Sequence, residues 1–334
     1  MKLFIGKAIF NFKWRITCVI RVVYVFFFCI RTRRARRIKI HYSCEIRNNC
    51  LIRDYGNFSM LIQLQRLLTI QGHFCSIQIQ GEGSEAASLE IKKYISDLSE
   101  LRSRFCLPEK VYENIPQTEI VISKHLFRKI NLFLQFEHFV PYLIYSKSKS
   151  IPLKDIALIP IPFSHITSIS DSNQSEIIGW GYRINPSFPH RNSKDGDFID
   201  YLHALLALYS TVEIVFLGSE EARQKVEILI SKHREEKCKC NFSYTYRFQE
   251  LDGFLGAVNE LQRVNRFFTD GGHGLCDFVL GTTIPFILVT RFSRYHPKEL
   301  QSGFPWMNES QSIFISKQAF FQELSAIKMG EKRS

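Results

Sequence analysis

Apolar and polar residues follow two different periods along the C-terminal half of the chain. Runs such as VEIVFLGS (212–219) are short, apolar and closed by a glycine, which is typical of buried strands. Stretches such as EEARQKVEILISKHREE (220–236) carry apolar residues at helical spacing. The two patterns alternate about five times between residues 175 and 327, and this alternation predicts a doubly wound parallel sheet.

The individual predicted elements can be read from these runs. In the C-terminal half the strands are predicted at 175–182, 212–219, 241–248, 264–270 and 285–290, and the helices at 196–210, 220–236, 251–262, 274–282 and 317–327. The N-terminal half is less regular. Its predicted strands are 37–46, 74–80 and 118–124, and its predicted helices are 57–73, which stops at Gly72, and 84–105.

The fold class predicted from this order is α/β, with two Rossmann-like domains. A length of 334 residues agrees with about two domains, and SKSKSIPLK (146–154) is the best linker candidate. We therefore predict one domain over 38–155, a second over 175–327, and a separate N-terminal segment over 1–37.

The basic residues of the chain are unevenly distributed. The net charge is +12, but residues 1–44 hold eleven Lys and Arg and no acidic residue, whereas the remainder is nearly balanced with 33 basic and 32 acidic residues. A protein that reads nucleic acid should carry its basic surface on the folded domain. The distribution argues against a nucleic-acid partner, and a basic nucleic-acid-binding protein stays only as a third interpretation.

The N-terminal segment has its own character. Its apolar stretch, 16–30, is short for a membrane-spanning helix and is interrupted by Arg21, and the sequence RTRRARR (31–37) that follows does not resemble a signal-peptide cleavage site. These features favour a segment that lies on or dips into an anionic membrane surface. If it spans the bilayer, the basic flank would keep the domains cytoplasmic, and scattered cysteines without a CxxC pair suit a reducing compartment. The alternative is a basic first helix packed on the domain.

The first candidate site is the stretch FFTDGGHGLCDFVLGTTIPFILV (267–289). Here a predicted strand ends in Asp270, two glycines and His273 before a predicted helix. Glycine-rich turns between a strand and a helix offer free N–H groups to an anion, and a phosphate is the natural partner. The alternative is a tight turn in which Asp270 caps the helix and no ligand binds.

The second candidate site is the loop GWGYRINPSFPHRNSKDGD (179–197), which also connects a predicted strand to a helix. It carries Arg183, His190, Arg191, Asn192 and Lys194, and arginine suits bidentate contact with phosphate. The carboxyl ends of parallel strands share one edge of the sheet, so we expect these cations beside the glycine-rich turn. A solvated polar loop is the alternative.

These two stretches resemble the donor-binding domain of GT-B glycosyltransferases, in particular heptosyltransferase-like and related surface-polysaccharide transferases. Those enzymes end a late strand with Asp, a small residue, Gly and a nearby His, and TDGGHGLCDFVLGTTIPFILV (269–289) is similar. VEIVFLGSEEARQKVEIL (212–229) looks like their preceding strand–glycine–helix unit. Where many heptosyltransferases have Ser or Thr after the Asp, this chain has Gly271, so the donor sugar stays open.

The resemblance, which covers about 175–327, implies two domains that face a cleft and a nucleotide-sugar as donor substrate. The donor-binding residues it implies are Arg183, Arg191, Lys194, Gly218, Asp270, Gly271, Gly272, His273 and Gly274. It implies no metal and no other cofactor, because GT-B sites stabilise the diphosphate with helix dipoles and basic side chains. His273 is assigned to catalysis as a donor to the leaving diphosphate.

The resemblance also implies that the N-terminal domain holds the acceptor and a general base. Asp54 in IRDYGNFSM (52–60) is the base we would choose, with Glu82 as a weaker candidate; the alternative for this stretch is a turn in which Asn57 caps a helix. GEGSEA (81–86) is also a partial dinucleotide fingerprint, which is a weak signal without a matching acidic residue after the next strand.

The sequence therefore predicts a membrane-associated, metal-independent glycosyltransferase on the cytoplasmic side of a membrane, either peripheral or anchored by a single span. It would move a sugar from a nucleotide-sugar to a cell-surface glycan or a lipid-linked acceptor in polysaccharide or lipopolysaccharide biosynthesis. The alternative is a non-catalytic two-domain protein that binds nucleotide-like anions and assists polysaccharide assembly.

Overall fold

The structure, a computed structural model, describes residues 37–47, 50–53, 55–70, 72–80, 89–108, 119–123, 158, 176–185, 189, 192–208, 211–235, 243–249, 253–270, 274–279, 282–289, 311–314 and 316–328. The N-terminal segment 1–36 lies outside these residues. None of the described helices combines the length and the apolar character needed to cross a bilayer. Contacts divide the chain into two compact units, and each is described separately.

The first unit is built on a three-stranded parallel sheet in the order β4-β1-β5. Its strands are β1 (Arg37–Ser43), β4 (Phe74–Gln80) and β5 (Glu119–Ser123), and a hairpin is formed by β2 (Glu45–Arg47) and β3 (Cys50–Ile52). Two helices belong to this half of the chain, α1 (Tyr55–Ile70), which is part of the first unit from Leu61 onward, and α2 (Leu89–Phe105).

Hydrogen bonds from buried side chains tie both helices to this sheet. The hydroxyls of Tyr42 on β1 and Tyr94 on α2 lie 2.9 Å apart. The Gln65 amide of α1 donates to the carbonyls of Cys75 and Leu107, each at 2.9 Å, and its Oε1 accepts from the Leu107 N–H at 3.0 Å. Because buried polar groups are costly without partners, Gln65 fixes α1 against β4 and the end of α2.

The second unit contains a six-stranded parallel sheet in the order β8-β7-β6-β9-β10-β11. The strands are β6 (Glu176–Gly181), β7 (Thr211–Leu217), β8 (Ser243–Phe248), β9 (Arg266–Thr269), β10 (Phe286–Val289) and β11 (Gln311–Phe314). Numbered within the unit, this order is 3-2-1-4-5-6, the order of a doubly wound Rossmann sheet.

Helices connect these strands, and aromatic side chains fill one side of the sheet. The helices are α3 (Asp195–Leu208), α4 (Glu220–Glu235), α5 (Gly253–Leu261), α6 (Gly274–Val279) and α7 (Lys317–Lys328). Trp180 of β6 lies at the centre of the core, stacked on Phe198 with centroids 4.8 Å apart and edge-on to Phe268 at 5.1 Å. Lys317 joins α7 to α3 through ion pairs with Asp197, at 2.9 Å, and Asp200.

The predicted α/β class with parallel sheets is confirmed, and the predicted strands and helices appear within a few residues of their predicted limits. Two features were not predicted. Strand β11 has four residues, which are too few for a period to appear. The β2–β3 hairpin is formed from two three-residue strands, too short for a period to appear. The division into compact units does not test the predicted domain limits 38–155 and 175–327, which stay predictions.

Candidate functional site

The two loops singled out in the sequence follow neighbouring strands at the centre of the second sheet. Strands β6 and β9 pair in parallel, with Gly181 aligned to Thr269, and the Thr269 hydroxyl donates to the Gly181 carbonyl at 2.6 Å. The order of the strands reverses between β6 and β9, and in open α/β sheets ligands bind outside the carboxyl ends of the strands at this reversal. Both loops therefore leave the sheet side by side at this edge, and ligand binding there stays a prediction.

Hydrogen bonds join the two ends of the loop after β6, residues 183–185 and 192–193, which we call the stem of the loop. The Ser193 N–H donates to the Arg183 carbonyl at 3.0 Å, and the Arg183 N–H donates to the Ser193 hydroxyl at 3.1 Å. One step further out, the Asn192 side chain accepts from the Asn185 N–H at 2.8 Å and donates to the Asn185 carbonyl at 3.3 Å. These four bonds hold the two ends of the loop side by side.

Asp270 joins this loop to the end of β9. Its carboxylate is only 5% exposed, and its Oδ2 accepts from the Lys194 N–H at 3.2 Å. Burial raises the pKa of Asp270, while hydrogen bonding from the Ser193 hydroxyl and from the main chain of Lys194 opposes the rise by favouring the carboxylate. Asp270 was predicted to bind the donor, and the structure places it beneath the loop, in contact with the residues that lead into α3.

Polar groups of two buried aromatic residues lie near Asp270. The Trp180 indole favours the charged form of Asp270, as the Ser193 hydroxyl does. Burial raises the pKa of Tyr201, and the nearby carboxylates of Asp270 and Asp200 raise it further. Asp270 therefore belongs to a small polar cluster that is buried at the end of β9.

The cationic residues predicted for the site are only partly described. Arg183 is half-buried at the base of the stem, and Lys194 is exposed at its end. Gly274 begins α6, which has six residues and is shorter than predicted. Arg191, Gly271, Gly272 and His273 lie outside the described residues, so their part in the site stays a prediction from the sequence.

Gly218 follows β7 at the same edge of the sheet, and close packing explains why a glycine stands there. A Cβ atom at this position would lie 2.6 Å from the Tyr182 carbonyl oxygen and 2.9 Å from the Ala222 Cβ. The predicted contact of Gly218 with a donor stays untested, but the packing alone requires a residue without a side chain.

A small pocket of about 10 Å³, room for about one water molecule, lies beside Gly218 at the carboxyl ends of β7 and β8. The Arg223 guanidinium lies 5.3 Å from the centre of the Phe248 ring on its wall. The Gln249 side chain is buried there, with Nε2 donating to the Gly253 carbonyl at 3.1 Å and Oε1 unpaired among the described residues. Tyr182 lines this pocket and also begins the loop after β6, so the two features are continuous.

The start of α3 carries the triplet Asp195-Gly196-Asp197, and two carboxylates at this spacing are able to hold a cation. Here Asp195 accepts from the Tyr182 hydroxyl at 2.8 Å and pairs with Lys225 at 2.7 Å, and these contacts hold the pKa of Asp195 below its usual value. Asp197 pairs with Lys317. Both carboxylates therefore serve the packing of α3, and the described residues contain no group of three or more His, Cys, Asp or Glu placed to hold a metal ion.

The structure does not describe the site residues that were predicted for the N-terminal domain. Asp54, the predicted base, and Glu82 both lie outside the described residues, as does GEGSEA (81–86). Conversely, sequence reasoning overlooked Tyr182 and Ser193. The only available signal was their place beside Arg183 and Lys194 at the two ends of a proline-containing loop, where short polar side chains commonly bond to the main chain.

Comparison with known proteins gives no relative: no family model matches this chain, and no curated protein matches it at a meaningful level.

Proposed function

We propose that this protein is a GT-B-type glycosyltransferase that moves a sugar from a nucleotide-sugar donor to a glycan or a lipid-linked acceptor. One observation supports the proposal above the others. The reversal of strand order lies between β6 and β9, and the two loops with anion-binding residue types leave the sheet there. We also propose that two domains face each other across a cleft.

In this proposal the diphosphate of the donor lies over the carboxyl ends of β6 and β9. Arg183, Arg191 and Lys194 supply positive charge, and the N–H groups of 271–274 supply hydrogen-bond donors. The stem bonds of the β6–α3 loop support this assignment because they fix the main chain of Arg183, from which the guanidinium extends, before a ligand arrives. A preorganised cation needs little rearrangement when charge develops on a leaving group.

The nucleoside would extend along the same edge of the sheet toward β7 and β8. The residue types beside Gly218 support this direction, because Tyr182, the Phe248 ring and the Gln249 amide line the pocket there, and Gln249 Oε1 has no partner among the described residues. The pocket would have to widen to receive a base. A nucleobase can stack on an aromatic ring and donate an N–H to an acceptor oxygen. Inorganic pyrophosphate, which lacks a base, would not use this pocket.

Catalysis would then consist of two contributions from the chain. The cations and His273 stabilise the negative charge that develops on the leaving diphosphate, and a base, for which Asp54 is our candidate, takes the proton of the attacking hydroxyl. No metal is invoked. The basic segment 1–37 would hold the protein at the cytoplasmic face of an anionic membrane, close to a lipid-linked acceptor.

The test uses the full chain on anionic vesicles, with EDTA present. UDP-, GDP-, ADP- and dTDP-sugars are each supplied with lipid-linked or glycan acceptors, and release of the nucleoside diphosphate is followed. We expect release from one donor class, and a decrease of about 10- to 1000-fold in turnover for His273→Ala. Binding of a nucleotide-sugar without any turnover across acceptors would favour the non-catalytic alternative. A fully active His273→Ala variant would show that the assigned loop does not take part.

A further inference from the structure

The position of Asp270 is unexpected for an anion-binding edge, because a carboxylate repels a phosphate. We propose that Asp270 is a positioning residue that holds the β6–α3 loop in its binding conformation and does not itself contact the anion. The part of this inference that concerns a ligand rests on the proposed function. The part that concerns the loop does not.

Burial and hydrogen bonding place Asp270 behind the loop. The side chain is 5% exposed, so little of it is available to a ligand in solution. Its Oδ2 accepts from the Lys194 N–H at 3.2 Å, a contact that joins residues 76 positions apart in the sequence, and the Ser193 hydroxyl bonds to the same carboxylate. An N–H group that loses its acceptor in a buried place costs free energy, so the Asp270 oxygen can order the chain that it contacts.

The contact reaches the cationic side of the loop through two neighbouring residues. Asp270 accepts from the Lys194 N–H, and Ser193, the residue before Lys194, forms both stem bonds with the main chain of Arg183, at 3.0 and 3.1 Å. Loss of Asp270 would release the Lys194 N–H, and the stem would lose this anchor on β9.

The Asp270→Asn variant distinguishes a positioning role from direct contact with the ligand. Asn is nearly isosteric with Asp and keeps an oxygen that can accept from the Lys194 N–H, but it removes the negative charge. If Asp270 only positions the loop, Asp270→Asn should preserve the loop and leave anion affinity unchanged or improved. If Asp270 were a ligand for donor hydroxyls, the same change should weaken donor binding without affecting the loop.

The first measurement is hydrogen–deuterium exchange of the ligand-free full chain, read on peptides that cover 182–195. We expect Asp270→Ala to exchange about 10- to 100-fold faster than the wild type there, as for the loss of a bond to a charged group, and Asp270→Asn to stay within about threefold. Ser193→Ala, which removes one buried hydroxyl from the stem, should give an intermediate rate and serves if Asp270→Ala fails to fold. Asp197→Asn is the matched control, because this acid lies in the first turn of α3 but pairs with Lys317, and its loop exchange should equal that of the wild type.

The second measurement is the dissociation constant for inorganic pyrophosphate and for UDP and GDP. We expect Asp270→Ala to bind about 10-fold or more weakly, and Asp270→Asn to bind at least as tightly as the wild type. Unchanged loop exchange in both Asp270→Ala and Ser193→Ala would overturn the inference, as would lost binding in Asp270→Asn with an intact loop. If the wild type binds none of these anions, the proposed function fails, while the exchange data still decide whether Asp270 orders the loop.

Discussion

Replacement of Gly218 by alanine tests whether this glycine is required by packing or by a ligand. The added Cβ would lie 2.6 Å from the Tyr182 carbonyl oxygen and 2.9 Å from the Ala222 Cβ. Neither neighbour can rotate away, since one atom belongs to the main chain and the other is the first atom of a helical side chain. Overpacking of this kind costs about 1–3 kcal/mol of unfolding free energy. For a unit of this size the melting temperature should fall by roughly 2–12 °C.

The matched control is Gly196→Ala, the same chemical change in the first turn of α3. No atom lies within 4 Å of a Cβ at this position, and alanine restricts the unfolded chain, so we expect a gain of about 0.4–1 kcal/mol. Urea unfolding followed by tryptophan fluorescence suits both variants, because Trp180 is fully buried in the same unit. Equal stabilities of the two variants would refute the packing argument. A Gly218→Ala variant that keeps its stability but loses nucleotide affinity would instead favour direct contact with the donor.

Three further predictions follow from buried polar groups. Replacement of Gln65 by methionine leaves the Leu107 N–H without its acceptor and should lower the unfolding free energy by about 1–3 kcal/mol in urea titrations, and a change below 0.5 kcal/mol would contradict the bridging role. Burial raises the pKa of Asp270, so the folded wild type loses stability as the pH rises through that pKa. The stability of Asp270→Asn relative to the wild type should therefore increase from about pH 4 to pH 7 in urea titrations. A stability difference that does not depend on pH would contradict the raised pKa. Replacement of Gln249 by leucine should weaken binding of a nucleoside diphosphate about 10-fold while leaving the affinity for pyrophosphate unchanged in calorimetric titrations, and equal losses for both would show that the pocket does not receive the base.

The sequence predicted most of the fold because its strands and helices have clear periods. FCSIQIQ was predicted as a strand over 74–80, the bounds that β4 has in the structure, since its residues alternate between buried and exposed positions. Strand β11 escaped prediction because it is short and lies at the edge of the sheet. The order of the strands was not predicted, because the alternation of strands and helices indicated only a doubly wound parallel sheet with the two candidate loops at one edge.

The position of the candidate site stays a prediction, and several of its contacts had no signal in the sequence. The sequence marked Asp270 as part of a glycine-rich turn, yet its partner Lys194 lies 76 residues earlier, and no local pattern reports such a contact. Gly218 was assigned to donor binding through the family resemblance, whereas its close approach to Tyr182 depends on two separate strands and appears only in three dimensions. Short polar residues such as Ser193 carry weak signals, because their role is set by the main-chain groups that the fold places beside them.

The most direct test of a diphosphate site at the carboxyl ends of β6 and β9 is hydrogen–deuterium exchange of the full chain with and without a saturating nucleoside diphosphate. We predict slower exchange in peptides that cover 182–195 and 267–279, with little change in the strands on either side. Tight binding that leaves both of these peptides unchanged, or that protects only the first unit, would contradict the account.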